Sequence, residues 1–124
     1  MSTIVLIEPE TAERERFIRA AGAENRVIAV DDLDAPHLTD ADLVVVGLGS
    51  DGLDLTVLDR LFAMRPELPV VITAPATLHG WQLLRSGMRL GAREFLTKPF
   101  DEQEVAQTIH VVTKAARSEP SVDA

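Results

Sequence analysis

The sequence contains no cysteine, which excludes disulfides and thiolate-ligated metal sites. It is also short of base: twelve lysines and arginines stand against twenty aspartates and glutamates, for a formal net charge of -8. A chain of that sign lies on the same electrostatic side as nucleic acid, and no run of Lys and Arg supplies the local basic face that binding a phosphate backbone requires. No apolar segment is long enough to read as a signal sequence or a membrane span, so the expected location is the cytoplasm. The three histidines, His37, His79 and His110, fall in a loop, ahead of a helix and on a helix face, without metal-ligand spacing. No serine stands in a recognisable order with histidine, so hydrolytic catalysis has no support. No enzyme activity and no cofactor are expected.

What is present is 124 residues, 46% hydrophobic and 26% charged, which suits one globular domain with one core. A short β-branched run at 3–7 leads into an amphipathic stretch at 11–21, stopped by Gly22 as a C-cap. The next apolar run, 27–30, gives way to acidic residues and Pro36, which leave room only for a brief second helix at 31–36. Residues 42–46 and 69–73 are apolar throughout instead of alternating, as strands buried on both faces are, with a helix between them at 53–64. A loop at 74–77 precedes a helix ending near Arg89, and a strand follows at 94–97. The last helix is opened by Asp101 with Glu104 three residues on, the spacing of a capping box. Five strands alternating with helices predict an α/β fold with a five-stranded parallel sheet, doubly wound, whose ligand sites lie beyond the carboxyl ends of the strands. The domain is expected over residues 1–117, with 118–124 a polar, disordered tail or the start of a linker.

Two helices carry the signal for protein contacts. On the last, Val105, Ile109, Val112 and Ala116 recur at helical spacing and face the sheet, leaving His110, Val111, Lys114 and Ala115 toward solvent or a partner. On the helix before it, Trp81, Leu84 and Met88 share one face while Leu83 and Leu90 share another, so one apolar stripe is left uncovered. A different motif, Gly47-Leu48-Gly49-Ser50-Asp51-Gly52, spells G-x-G-x-x-G between a strand and a helix, as a dinucleotide-binding turn does. The acid expected at the end of the following strand is absent, since that strand ends in Thr73.

At the strand exits stand Ile7-Glu8-Pro9-Glu10, Val46-Gly47-Leu48, Thr73-Ala74, and the closing run Gly91-Ala92-Arg93-Glu94-Phe95-Leu96-Thr97-Lys98-Pro99-Phe100. Over residues 3 to about 117 the chain resembles the bacterial response-regulator receiver domain of two-component systems, a flavodoxin-like fold. The resemblance implies two adjacent acids after the first strand that hold magnesium, a phospho-accepting aspartate after the third, a hydroxyl after the fourth, and a lysine after the fifth joined to proline by a cis peptide. Glu8 keeps the first acid, Pro9 takes the place of the second, and Glu10 lies one step too far. Gly47 stands where the aspartate belongs, while Thr73, Lys98 and Pro99 match. Phe95 takes the aromatic switch position, without the hydroxyl of the usual tyrosine. The chain is similar in this to degenerate receivers, or pseudo-receivers, that replace phosphorylation with fixed contacts, including those at the start of pilus-assembly proteins of the ParA-like ATPase group.

Acyl phosphate chemistry needs a carboxylate nucleophile against a magnesium ion, and Glu8 alone is a poor cage. Asp51 is four residues beyond Gly47, too far to restore the geometry, and reads better as a turn or capping residue. Lys98 is expected to turn to Glu8, or to keep its stem packed and its head wet. Thr73 is expected to bond locally. The function expected is that of a non-phosphorylated signalling or localisation module that binds a protein partner or itself, with no nucleic acid or membrane. The contact is expected through the fourth helix, fifth strand and fifth helix, with Leu83, Leu90, His110, Val111 and Lys114 as the candidate face. The alternatives are a phosphorylatable receiver with displaced acids, in which Asp51 or Glu10 serves, and a small nucleotide-binding domain using the glycine-rich turn.

Overall fold

The computed structural model describes residues 2–31, 38–49 and 55–118. Five strands, β1 (Thr3–Ile7), β2 (Arg26–Ala29), β3 (Leu43–Gly47), β4 (Val70–Pro75) and β5 (Glu94–Lys98), form one sheet in the order β2-β1-β3-β4-β5. Every neighbouring pair is parallel, as the uninterrupted apolar runs predict. The strand order reverses beside β1, and the crevice at such a switch point is where open α/β sheets hold their functional groups. β1, β3 and β4 are central and almost wholly buried, whereas β2 is an edge strand with both end residues exposed.

Four helices cover the sheet among the described residues: α1 (Thr11–Ala21), α2 (Leu55–Met64), α3 (Leu78–Leu90) and α4 (Glu102–Ser118). The alternation of strand side chains splits the core in two. Val5, Ile7, Val44, Val46, Val70 and Ile72 meet Leu58, Leu61 and Leu84 of α2 and α3. Ile4, Leu6, Leu43, Val45, Val71 and Leu96 meet Phe17, Val105, Ile109 and Val112 of α1 and α4. α3 comes close to the sheet because Gly87 has no side chain: a Cβ there would lie 2.4 Å from Ile72 Cδ1.

Local chemistry sets the element ends. Thr77 accepts a hydrogen bond from Gly80 N at 3.0 Å and caps α3, and Asp101 accepts from Gln103 N and Glu104 N to cap α4. α3 ends at Gly91, whose φ of 128° is one an L side chain rarely adopts. Gly22 caps α1 by donating to the Ile18 carbonyl at 2.7 Å, but with an ordinary helical φ of -71°.

Several boundaries differ from the sequence reading: β3 is shifted by one residue, to 43–47 from 42–46, and β5 ends one residue later, at Lys98. β2 begins one residue earlier than predicted. β4 runs on through Ala74 and Pro75, predicted as loop, because Pro75 falls at the final rung opposite Lys98, where its missing N–H breaks no ladder. Ser118, predicted to open the tail, closes α4. The predicted short second helix lies almost entirely outside the described residues, as do His37, Ser50, Asp51 and Gly52 of the glycine-rich turn, and residues 119–124.

Candidate functional site

Alternation along the strands aims Glu8, Gly47, Thr73 and Lys98 toward the same side of the sheet, the side covered by α1 and α4. Ile7 pairs with Val46, Gly47 with Thr73, and Pro75 with Lys98, so all four positions collect at the carboxyl edge. Across that edge Lys98 Nζ donates to Glu8 Oε2 at 3.2 Å. Both side chains are dry, with 4% and 1% of their surface exposed, so the lysine head does not reach solvent. The backbone N–H of Glu10 donates to the same Glu8 oxygen at 3.0 Å, and Oε2 of the more exposed Glu10 side chain lies 3.5 Å from Lys98 Nζ. Glu10, one position out of the receiver pattern, therefore still reaches the lysine. Arg14 Nε donates to the Glu8 carbonyl at 3.0 Å and fixes the turn after β1.

Gly47 explains why Glu8 can lie as it does. A Cβ at Gly47 would be 2.7 Å from Glu8 Oε1 and 3.3 Å from the Ile7 carbonyl oxygen, so the glutamate occupies the space a side chain there would need. Glu8 Oε1 and Thr73 Oγ1 are buried and, among the described residues, have no hydrogen-bond partner. Thr73 thus does not make the local bond expected of it. Pro9 is half-buried, Pro99 is exposed, and the Lys98–Pro99 peptide is cis.

The magnesium implied by the receiver pattern does not fit these donors. Glu8 offers one uncommitted oxygen, its other being bonded to an ammonium, and Pro9 and Gly47 offer no side-chain oxygen, whereas magnesium demands a near-octahedral oxygen set. Among the described residues no group of three or more His, Cys, Asp or Glu could hold a metal ion.

One site residue escapes the sequence reading. Glu13 is buried in the first turn of α1; its Oε2 accepts from Phe100 N at 3.0 Å and its Oε1 pairs with Arg16 at 2.7 Å. Phe17, one turn on, packs edge-on against Phe100 with centroids 5.8 Å apart. α1 therefore clasps the segment that follows Lys98. The signal was legible: Glu13, Phe17 and Ala21 recur every fourth residue on the buried face of α1.

Solved structures share this arrangement of strands and helices. The chain superposes on full-length FixJ from B. japonicum with a TM-score of 0.80 and 26% identity, covering 95% of this chain and 60% of FixJ. It matches the receiver domain of NtrX from Brucella abortus with a TM-score of 0.77 and 21% identity, over 90% of this chain and 98% of that one. The fold is that of a response-regulator receiver. A CheY-like protein, tadZ, from Pseudomonas aeruginosa PAO1 is also similar, with a TM-score of 0.74 and 21% identity over 90% of this chain and 99% of that one. The chain spans only 28% of a longer NtrX structure. No family model and no curated protein matches the sequence.

On this receiver fold the predicted interaction face divides. Leu83 is half-buried and packs on the core, its Cδ1 3.2 Å from where a Cβ on Gly49 would stand, so it lies at the exit of β3. Leu90 is 44% exposed. His110, with Ala20 and Asn25, lines a groove of 390 Å³ between α1 and α4, away from β5. Val111 and Lys114 are exposed. Neither predicted stripe of α3 is left uncovered whole: Leu84 of the Trp81 stripe is buried and Leu83 of the other is half-buried, while Trp81 and Leu90 are exposed, because Leu84 and Gly87 set the side that meets the sheet. Phe95 stands edge-on to Trp81 with centroids 5.7 Å apart.

Proposed function

We propose that this chain is a pseudo-receiver: a signalling or localisation module that holds one state without phosphorylation and acts by binding protein. The observation that carries the reading is the dry Lys98–Glu8 pair beside Gly47. In a working receiver, as the resemblance implies, the lysine meets a carboxylate whose charge changes on phosphorylation. Here its counter-charge is a glutamate of β1's exit that no acyl transfer supplies or removes. Phe95 adds no hydroxyl to re-pair, so its ring has no hydrogen bond with which to report a change of charge.

The domain is taken as residues 1–117, in the cytoplasm, with no catalysis of its own and no nucleic acid bound by it. No helix among the described residues is long and apolar enough to cross a membrane. The subgroup proposed is the receiver-like domain at the start of pilus-assembly ParA-like ATPases, and a continuation past Ala124 into a nucleotide-binding domain is the observation that tests it. Phosphorylation is tested by incubating the chain with acetyl phosphate and magnesium and measuring intact mass. An unmodified chain is expected; an added phosphoryl group, or a beryllofluoride adduct on any strand-tip carboxylate, overturns the proposal.

A further inference from the structure

Acid and base are segregated along this chain. Residues 68–93 carry Arg85, Arg89 and Arg93 and no aspartate or glutamate, whereas the remainder holds nine bases against twenty acids. α3 lies wholly inside that stretch. Its inner side meets the sheet through Leu84 and Gly87, and its outer side presents Leu78, Trp81, Arg85 and Arg89, all exposed. Arg85 and Arg89 have no ion-pair partner among the described residues. Trp81, Leu84, Arg85, Met88 and Phe95 line a groove of 290 Å³, and Trp81 remains 48% exposed although its ring contacts Phe95.

A floor of aromatic and thioether surface beside an arginine selects for two properties at once. A large apolar side chain fills the gap against Trp81 and Phe95, and a carboxylate next to it pairs with the planar guanidinium of Arg85. A second copy docked by α3 is disfavoured, because it brings the same Arg85 and Arg89 and no carboxylate to pair with them, residues 68–93 holding no aspartate or glutamate. Nucleic acid is opposed by the excess of acid on the rest of the chain. We infer that the α3–β5 groove takes an acidic, apolar-anchored segment of a different protein. This rests on the interaction-module reading above and names the partner's chemistry.

The test is selection of random peptides displayed on phage against the intact protein, followed by titration of the enriched peptides. Trp81 is the sole tryptophan, so its emission reports this groove alone. Enriched peptides are expected to be net acidic with one or two large apolar residues, to shift Trp81 emission to the blue, and to bind more weakly as salt rises. Arg85→Glu with Arg89→Glu is expected to weaken them by roughly tenfold or more, with circular dichroism unchanged since both side chains are exposed. Failure to enrich any peptide, enrichment of neutral or basic ones, or affinity unaffected by the double variant overturns the inference. So does a blue shift produced equally by phosphatidylglycerol vesicles, or a concentration-dependent dimer abolished by Trp81→Glu. A chain that stays unphosphorylated but selects no acidic peptide removes this partner and leaves the pseudo-receiver standing.

Discussion

Replacing Lys98 with methionine removes the ammonium from a pair whose two side chains are 4% and 1% exposed. The Glu8 carboxylate is then left dry with one donor, the Glu10 N–H at 3.0 Å. Breaking a buried pair from one side costs about 3–5 kcal/mol, because the surviving charge has lost both water and partner. At an unfolding entropy of about 2.1 cal/mol/K per residue, a loss of about 3 kcal/mol in a chain of this size lowers Tm by about 12 °C. Glu8→Leu should cost less, since Lys98 keeps the half-exposed Glu10 as a partner, its Oε2 at 3.5 Å. The double variant Glu8→Leu/Lys98→Met buries no charge at this point, and such replacements are neutral or stabilising when they pack, so it should return to within about 1 kcal/mol of the parent. Urea unfolding of all four proteins, followed by circular dichroism, closes a double-mutant cycle whose coupling energy isolates the pair. Single variants as stable as the parent would refute the reasoning, as would a double variant whose loss equals the sum of the two.

The crowding at Gly47 can be tested in the same way: Gly47→Ala should destabilise by about 1–3 kcal/mol, and by less when Glu8 is already alanine, because the oxygen that a Cβ meets at 2.7 Å is then gone. Glu13→Gln exchanges a charged acceptor for a neutral one at Phe100 N, so faster amide exchange at Phe100 is expected, with a loss of about 1–2 kcal/mol. On α3, Leu84→Ala at a fully buried position should cost about 2–5 kcal/mol by thermal unfolding, whereas Leu78→Ala, 78% exposed, should leave stability within about 0.5 kcal/mol. The Arg65 guanidinium, hydrogen-bonded to Glu67, holds that carboxyl below its ordinary value of 4.5. Its contribution to stability is therefore present above that value and lost as the pH falls below it; NMR titration should find the Glu67 midpoint moved up in Arg65→Ala.

The fold was largely legible in the chain because parallel strands buried on both faces must be apolar without interruption, and β1, β3 and β4 are. Local rules also placed the Asp101 cap and the buried stripe of α4, since both depend on residues three or four apart. The absence of a side chain at Gly47 needed only the sequence and an alignment of motifs, but its consequences for the neighbouring charges needed the sheet. Lys98 and Glu8 are 90 residues apart, and only the order in which β1, β3, β4 and β5 lie side by side decides that one reaches the other. The same holds for Glu13: its place on an apolar stripe marks it as buried, but its partner, the N–H of Phe100, comes from the far end of the chain. Helical periodicity gave α3 two apolar stripes and no means to choose between them. Neither was left bare as a unit: Gly87, whose missing side chain lets the helix settle on Ile72, puts Leu84 beside it against the sheet and leaves Trp81 and Leu90 outward. Short-range spacing thus determined which residues share a face; which face meets the sheet, and which charges meet across it, depended on contacts between strands that sequence separation does not encode.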